Sequence, residues 1–395
     1  MTLKHNILKM YLLKGVLWFM VAMPIIVLFF QEHGLSLTEV MIIQAIYSLS
    51  VAMFEIPSGY IADLFGRKHT IVLSTIFSFS GYLVFSFFGG FYAFAAASTL
   101  VGIGGSLMSG SDSALLYDTL LETGDKKTYT KIEGRNYAIG NFSEATAGIL
   151  GGFLAVSSIY LPIYVQTGIL FLSIPIALTL VEPTMHEEDK IDRSFKAILG
   201  VVEFAMVENA KLRWLIIYSS AMGVATLAMA WFAQPFFKEV EIPLAYFGIL
   251  WAGLNFSAGL TSFNSHKFDK DESNTKMLLY LALAMATSFV FLGFNMSLFG
   301  IIFIVFIYLL RGIVTPILRN AINENTSSNK RATVLSIRSF IIRISFAICA
   351  PIFGYLADNY SLNITFYTLA IIVGVFSVLS AIRLNRLDNK ASFAS

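Results

Sequence analysis

Long apolar runs alternate with short polar breaks along the whole chain, and each run is close to the roughly 20 helical residues that cross a bilayer core. Twelve runs can be delimited, at 8–30, 38–62, 70–90, 92–121, 132–157, 160–181, 212–237, 243–265, 275–294, 297–323, 332–357 and 361–383. They predict twelve transmembrane helices, so the expected fold class is an all-α polytopic membrane protein. The first run follows Lys4 and Lys9, as the apolar core of a signal peptide would. It is too long for one, lacks a small-residue cleavage site and is followed by another span, so it reads as an uncleaved first helix.

The longest polar stretch, Glu182 to Lys211, divides the chain into 1–181, a linker at 182–210 and 211–395, with six predicted helices on each side. Within the linker Phe195, Ile198, Leu199 and Val202 recur at helical spacing. They describe either an amphipathic helix along the inner membrane surface or a solvated linker with some helical content. The halves resemble repeats. A shift of 200 superposes Gly59 on Gly259 and Arg67 on Lys267, and a shift of 203 superposes Arg135 on Arg338, Ala147 on Ala350 and Gly151 on Gly354. Duplicated halves of this kind form a known transporter plan with the substrate site between them.

Composition excludes an ordinary soluble domain: 56% of residues are hydrophobic, 13% are charged, and mean hydropathy is +0.73. The net charge of +2 says less than its distribution. Lys14, Arg311, Arg338 and Arg343 lie within spans, and apart from Lys238 the other lysines and arginines fall on one side. Both termini are therefore expected in the cytoplasm, with the chain crossing a plasma or bacterial inner membrane. Cys349 is the only cysteine, the five histidines sit at segment ends or in loops, and no His/Cys/carboxylate set has metal-ligand spacing. No metal, cofactor or nucleic-acid partner is expected, and a monomer in the lipid bilayer is. The chain carries no G-x-x-x-x-G-K-[ST] loop, so an ion gradient or the solute's own gradient must supply energy for any transport.

The turn between the second and third spans reads EIPSGYIADLFGRK from Glu55 to Lys68, with Gly59, Asp63, Gly66, Arg67 and Lys68 matching G-x-x-x-D-x-x-G-R-K. It resembles the loop 2/3 signature of the major facilitator superfamily (MFS) of transporters, most closely its 12-helix drug/proton antiporter families. The resemblance implies two pseudo-symmetric six-helix bundles working by alternating access. It also implies that Asp63 faces the N-terminus of the eleventh span and that Arg67 pairs with Asp118, latching the inner face and favouring the outward-open state. A positive-inside turn capped by glycine would explain the same residues without a latch. In the second half the motif has decayed, with Phe263 at the Asp position and His266 replacing a glycine.

Ionisable residues inside spans are costly and are usually paired or functional. Glu55 lies on one helical stripe with Gly59 and Asp63, about 12 Å deeper than Asp63. It is expected to pair with Arg338 or Arg343, or else to carry protons. Asp112 and Arg311 come from opposite halves, on spans that the resemblance implies line the central cavity. Either they exchange partners there, or Asp112 is a deeper element of the latch. Glu144, near the middle of its span, is a coupling carboxyl or a neutral group bonded to Asn255. The run Ala147, Gly148, Gly151, Gly152 resembles the superfamily's antiporter motif G-x-x-x-G-P-x-x-G-G, but Gly148 replaces the proline, and Ser143 and Ala147 replace glycines. Ser98 stands where many antiporters carry arginine. A small-residue packing face also explains the run. Trp18, Met222, Thr226 and Met229 are candidates for an apolar, adaptable cavity wall or for packing.

The expected function is secondary transport: proton-coupled export of an amphiphilic organic compound or, alternatively, proton-coupled import of a small polar metabolite or anion anchored by Arg311. A membrane enzyme or receptor is a third class, disfavoured by the lack of a nucleophile motif, a His/Cys/Asp cluster or a sizeable soluble domain.

Overall fold

In a computed structural model of the chain, residues 3–184, 200–265, 275–327 and 330–394 are described, the side chains of Ile56, Asp63, Thr275 and residues 390–394 excepted. The described residues form helices α1 (Asn6–Leu17), α2 (Ile26–Glu32), α3 (Leu37–Phe65), α4 (Arg67–Phe87), α5 (Phe91–Met108), α6 (Ser111–Glu122), α7 (Tyr129–Ser157) and α8 (Leu161–Leu178). They continue with α9 (Ala210–Glu239), α10 (Phe247–Phe263), α11 (Thr275–Phe294), α12 (Gly300–Glu324), α13 (Arg331–Asn359) and α14 (Leu362–Ala394). Eleven helical segments among the described residues are long and apolar enough to cross a membrane.

The expected single helix over 8–30 is instead two short ones, α1 and α2, separated by turns at 18–25. Pro24 accounts for the break: it has no N–H to donate one turn back, and its ring disfavours helical backbone at Met23. Eleven of the twelve expected spans thus correspond to segments long and apolar enough to cross a membrane, and the first is a broken stretch. The fourth span also breaks, at Ser109 and Gly110, where Gly110 takes φ +82 and α6 starts afresh. Of the predicted surface helix, Phe195, Ile198 and Leu199 lie outside the described residues. Val202 is helical, and the chain continues into a π-helical turn at Phe204–Glu208.

The chain divides into two compact units. The first comprises Met1–Leu35, Ile43–Asp189 and Pro243–Ala252; the second comprises Ser36–Ile42, Lys190–Ile242 and Gly253–Ser395. In the first, Met10, Leu13, Ile71, Leu115, Ala177 and Leu180 form a buried cluster. Small residues bring the backbones together. A Cβ on Gly104 would lie 2.9 Å from the Ser74 carbonyl oxygen, and the Ser74 hydroxyl donates to the Gly104 carbonyl at 2.6 Å. A Cβ on Gly151 would lie only 1.9 Å from the Val21 carbonyl oxygen, so α7 seats directly against the broken stretch.

The second unit is built around α9, whose inward face carries Tyr218, Met222, Ala225, Met229, Phe232 and Phe236, all buried. The Tyr218 hydroxyl donates to the Leu278 carbonyl at 2.7 Å, satisfying two polar groups that burial would otherwise penalise. Ser36 and Glu39 form a capping box at the start of α3, each side chain accepting the other's backbone N–H. The Asp358 carboxylate also accepts the Leu37 and Thr38 N–H groups at 2.9 and 2.7 Å. Gly354 makes room for this junction, since a Cβ there would lie 2.7 Å from the Leu37 carbonyl oxygen.

Candidate functional site

The restart of the helix after Gly110 places Asp112 in the first turn of α6, where unpaired N–H groups and the helix dipole favour a negative charge. Asp112 Oδ1 accepts the Ser113 N–H at 2.7 Å, and Oδ2 lies 3.3 Å from Lys14 Nζ on α1. Both side chains are largely buried, with 15% and 16% of their surface exposed. The ammonium also lies 4.8 Å from the centroid of the Trp18 ring, a cation–π contact. Gly140 on α7 makes room for this arrangement, because a Cβ there would lie 3.2 Å from Trp18 and 3.4 Å from Lys14. One residue after Asp112, the Ser113 hydroxyl donates to Glu133 Oε1 at 2.8 Å. Glu133 Oε2 is buried with no hydrogen-bond partner. A cation, two carboxylates, a hydroxyl and an indole thus converge from α1, α6 and α7 within the first unit. Such a cluster can exchange a proton or a polar solute, because its ion pair lies within apolar segments where neither charge is well solvated.

A second constellation lies at the α3–α4 turn. Gly66 takes φ +89, and the Glu182 carboxylate accepts the N–H groups of Arg67 and Lys68, both at 2.7 Å. A Cβ on Gly66 would fall 2.9 Å from that carboxyl carbon, so the motif glycine is needed both for its dihedral and for its missing side chain. The Arg67 guanidinium is ion-paired with the Asp118 carboxylate. Gly59 and Asp63 lie on α3, and the Asp63 side chain is outside the described residues, as are Ser328 and Asn329 just before α13.

In the second unit the Arg338 Nε donates to the buried Ser219 hydroxyl on α9, and the Arg311 guanidinium lies 5.5 Å from the Tyr308 ring centroid. Met222 and Met229 are buried, and the Thr226 hydroxyl donates to the Gly223 carbonyl at 3.0 Å. Glu55, Glu144, Asn255 and Arg343 each have an interaction partner. Sequence reasoning missed three contributors. Lys14 was visible as a charge inside the first span, and it needed a carboxylate at matching depth. Glu133 and Glu182 sit at segment ends, where a carboxylate looks merely solvated.

The profile of the Major Facilitator Superfamily matches residues 10–309. The chain belongs to the Major Facilitator Superfamily. It is a multi-pass membrane protein of a transporter family, not of an enzyme family. An MFS-type transporter of uncharacterised activity, YxaM of Bacillus subtilis (strain 168), is 23% identical over 382 residues, spanning 93% of this chain and 92% of that protein. Among solved structures, the nucleoside transporter NupG aligns with a TM-score of 0.77 at 13% identity, over 97% of this chain and 98% of the other. A D-xylose–proton symporter aligns with a TM-score of 0.72 at 14% identity, over 97% and 95%. At these identities the structural likeness establishes the MFS fold.

Proposed function

We propose that this MFS transporter moves a small polar organic solute in exchange or in company with protons, with Asp112 as the proton-sensitive group and Lys14 as its resting partner. The observation that carries this reading is the Lys14–Asp112 ion pair within the apolar α1 and α6. Protonating Asp112 would release the Lys14 ammonium beside Trp18 to meet an acceptor on the solute, and loss of that proton would restore the pair and expel it. Glu133, with one oxygen buried and without a hydrogen-bond partner, would take part in the same exchange. Export of an amphiphilic compound calls instead for an adaptable apolar wall, and in the second unit Met222 and Met229 are spent on core packing. That favours the polar solute, with Arg311 as a further candidate anchor. Arg67, Asp118 and Asp63 would then act on conformation, the Arg67–Asp118 pair holding the α3–α4 turn in place as the bundles at 1–181 and 211–395 alternate.

The test is proton movement in proteoliposomes loaded with a pH-sensitive dye, on addition of nucleosides, pentoses, short peptides or amphiphilic cations. One solute class should move protons, and Asp112→Asn should abolish that movement while leaving solute counterflow. If a solute is transported with no proton movement, or if Asp112→Asn couples normally, the assignment of Asp112 fails. An amphiphilic cation as the coupled solute would restore the export reading.

A further inference from the structure

We propose that the cluster around Asp112 also binds a small monovalent cation of the sodium class, held by Glu133 and Asn136 of α7 with Ser113 of α6; it rests on the transport reading above, which it deepens. The charges of the cluster do not balance. Lys14 answers Asp112 at 3.3 Å, while among the described residues Glu133 has no cation within ion-pair distance. Its Oε1 accepts the Ser113 hydroxyl at 2.8 Å, and its Oε2 is buried without a hydrogen-bond partner. A carboxylate in an apolar span that is left with one neutral bond is costly, and a second positive charge relieves it.

A second oxygen calls for the same ligand. Asn136 is 1% exposed, and its Oδ1 is also buried with no hydrogen-bond partner. Its place on α7 follows from the contacts on either side. One turn before it, the Ile132 carbonyl accepts the Tyr11 hydroxyl of α1 at 3.4 Å, and one turn after it Gly140 lies against Lys14 and Trp18. Asn136 therefore lies on the stripe of α7 that packs on α1, between those two contacts. Glu133 precedes it at helical i, i+3 spacing, so the two side chains are neighbours with Cβ atoms about 5 to 6 Å apart. Together with the lone pairs of Ser113 Oγ they offer one carboxylate, one amide and one hydroxyl oxygen, a hard donor set. One uncompensated negative charge matches a monovalent ion. Calcium and magnesium call for about six or more oxygens, and no group of three His, Cys, Asp or Glu side chains among the described residues could hold a metal. A buried water would bond to the same oxygens but would leave the charge of Glu133 unbalanced. A cation there occupies the oxygen that a proton would take, and so would leave Asp112 as the group that titrates.

The experiment uses the full chain in phosphatidylcholine nanodiscs, with thermal denaturation followed against sodium chloride and against choline chloride at constant ionic strength. Saturable stabilisation by sodium and none by choline is expected. Loss of an outer-shell partner already weakens metal affinity about tenfold or more, so loss of a direct ligand in Glu133→Gln or Asn136→Leu should weaken the apparent sodium affinity at least as much. Glu133→Gln keeps the shape of the side chain and an acceptor for Ser113, so it keeps the test informative if Asn136→Leu does not fold. Equal stabilisation by the two salts, or an unchanged sodium affinity in the variants, would overturn the site and leave a resident water only. Proton movement in proteoliposomes with choline as the added cation separates the two readings. Sodium stabilisation without Asp112-dependent proton movement sinks only the coupling assignment, and Asp112-dependent proton movement without sodium stabilisation sinks only this site.

Discussion

The two units treat their embedded charges in opposite ways. In the first, Lys14 is bonded to Asp112 and Arg67 to Asp118, each cation with a carboxylate of its own unit. In the second, Arg338 rests on a hydroxyl and Arg311 on an aromatic ring, while the Lys211–Asp388 pair lies toward helix ends. A unit that neutralises its own charges can release one of them on protonation. A cation resting on a hydroxyl or an aromatic ring has no such carboxylate to titrate. Under the proposed function, coupling would draw on the first unit's pairs, because a carboxylate that takes up a proton releases the cation it holds.

The comparison breaks first, and with the largest effect, at Asp112. Asp112→Asn leaves the Lys14 ammonium without its carboxylate, at an expected cost of about 3 kcal/mol in stability and the loss of proton-driven transport. The double variant Lys14→Met, Asp112→Leu should recover most of the stability while remaining inactive, as read by thermal inactivation of detergent-solubilised protein beside the transport assay. Full activity in the double variant would make the pair purely structural. Gly66→Ala comes next. At φ +89, with a Cβ 2.9 Å from the Glu182 carboxyl, it should cost roughly 1 to 3 kcal/mol and lower the denaturation midpoint. If the Glu182 contact is the chief obstacle, Glu182→Ala should lessen that penalty. Asp358→Ala, which removes the acceptor for two N–H groups at the start of α3, should cost about 1 kcal/mol. The smallest effect is expected at Lys211, whose 2.8 Å pair with Asp388 is 39% exposed on the lysine side. Lys211→Met should change stability by less than about 1 kcal/mol and leave transport intact.

The membrane architecture was legible because length and apolarity alone decide whether a helix can span a bilayer, and the loop signature was legible because its glycine meets a backbone requirement. Gly151 and Gly354, superposed by the shift of 203, each face the backbone of another segment, Val21 in one case and Leu37 in the other. What the sequence hid were the breaks and the partners. Pro24 is tolerated in many helices, so its presence did not announce a gap of eight residues at 18–25. Likewise Gly110 resembled the other small residues of a packed span. Partner choice depends on where such a break turns a side chain: Asp112 sits in a fresh first turn facing α1, so a reading that assumed continuous helices did not couple it to Lys14.

The interruption at Pro24 bears on how this stretch is held in a bilayer. Neither the twelve residues of α1 nor the seven of α2 is long enough to partition into lipid unaided. Stable seating of this stretch in a bilayer is therefore expected to depend on neighbours such as α7, whose Gly151 lies against the Val21 carbonyl.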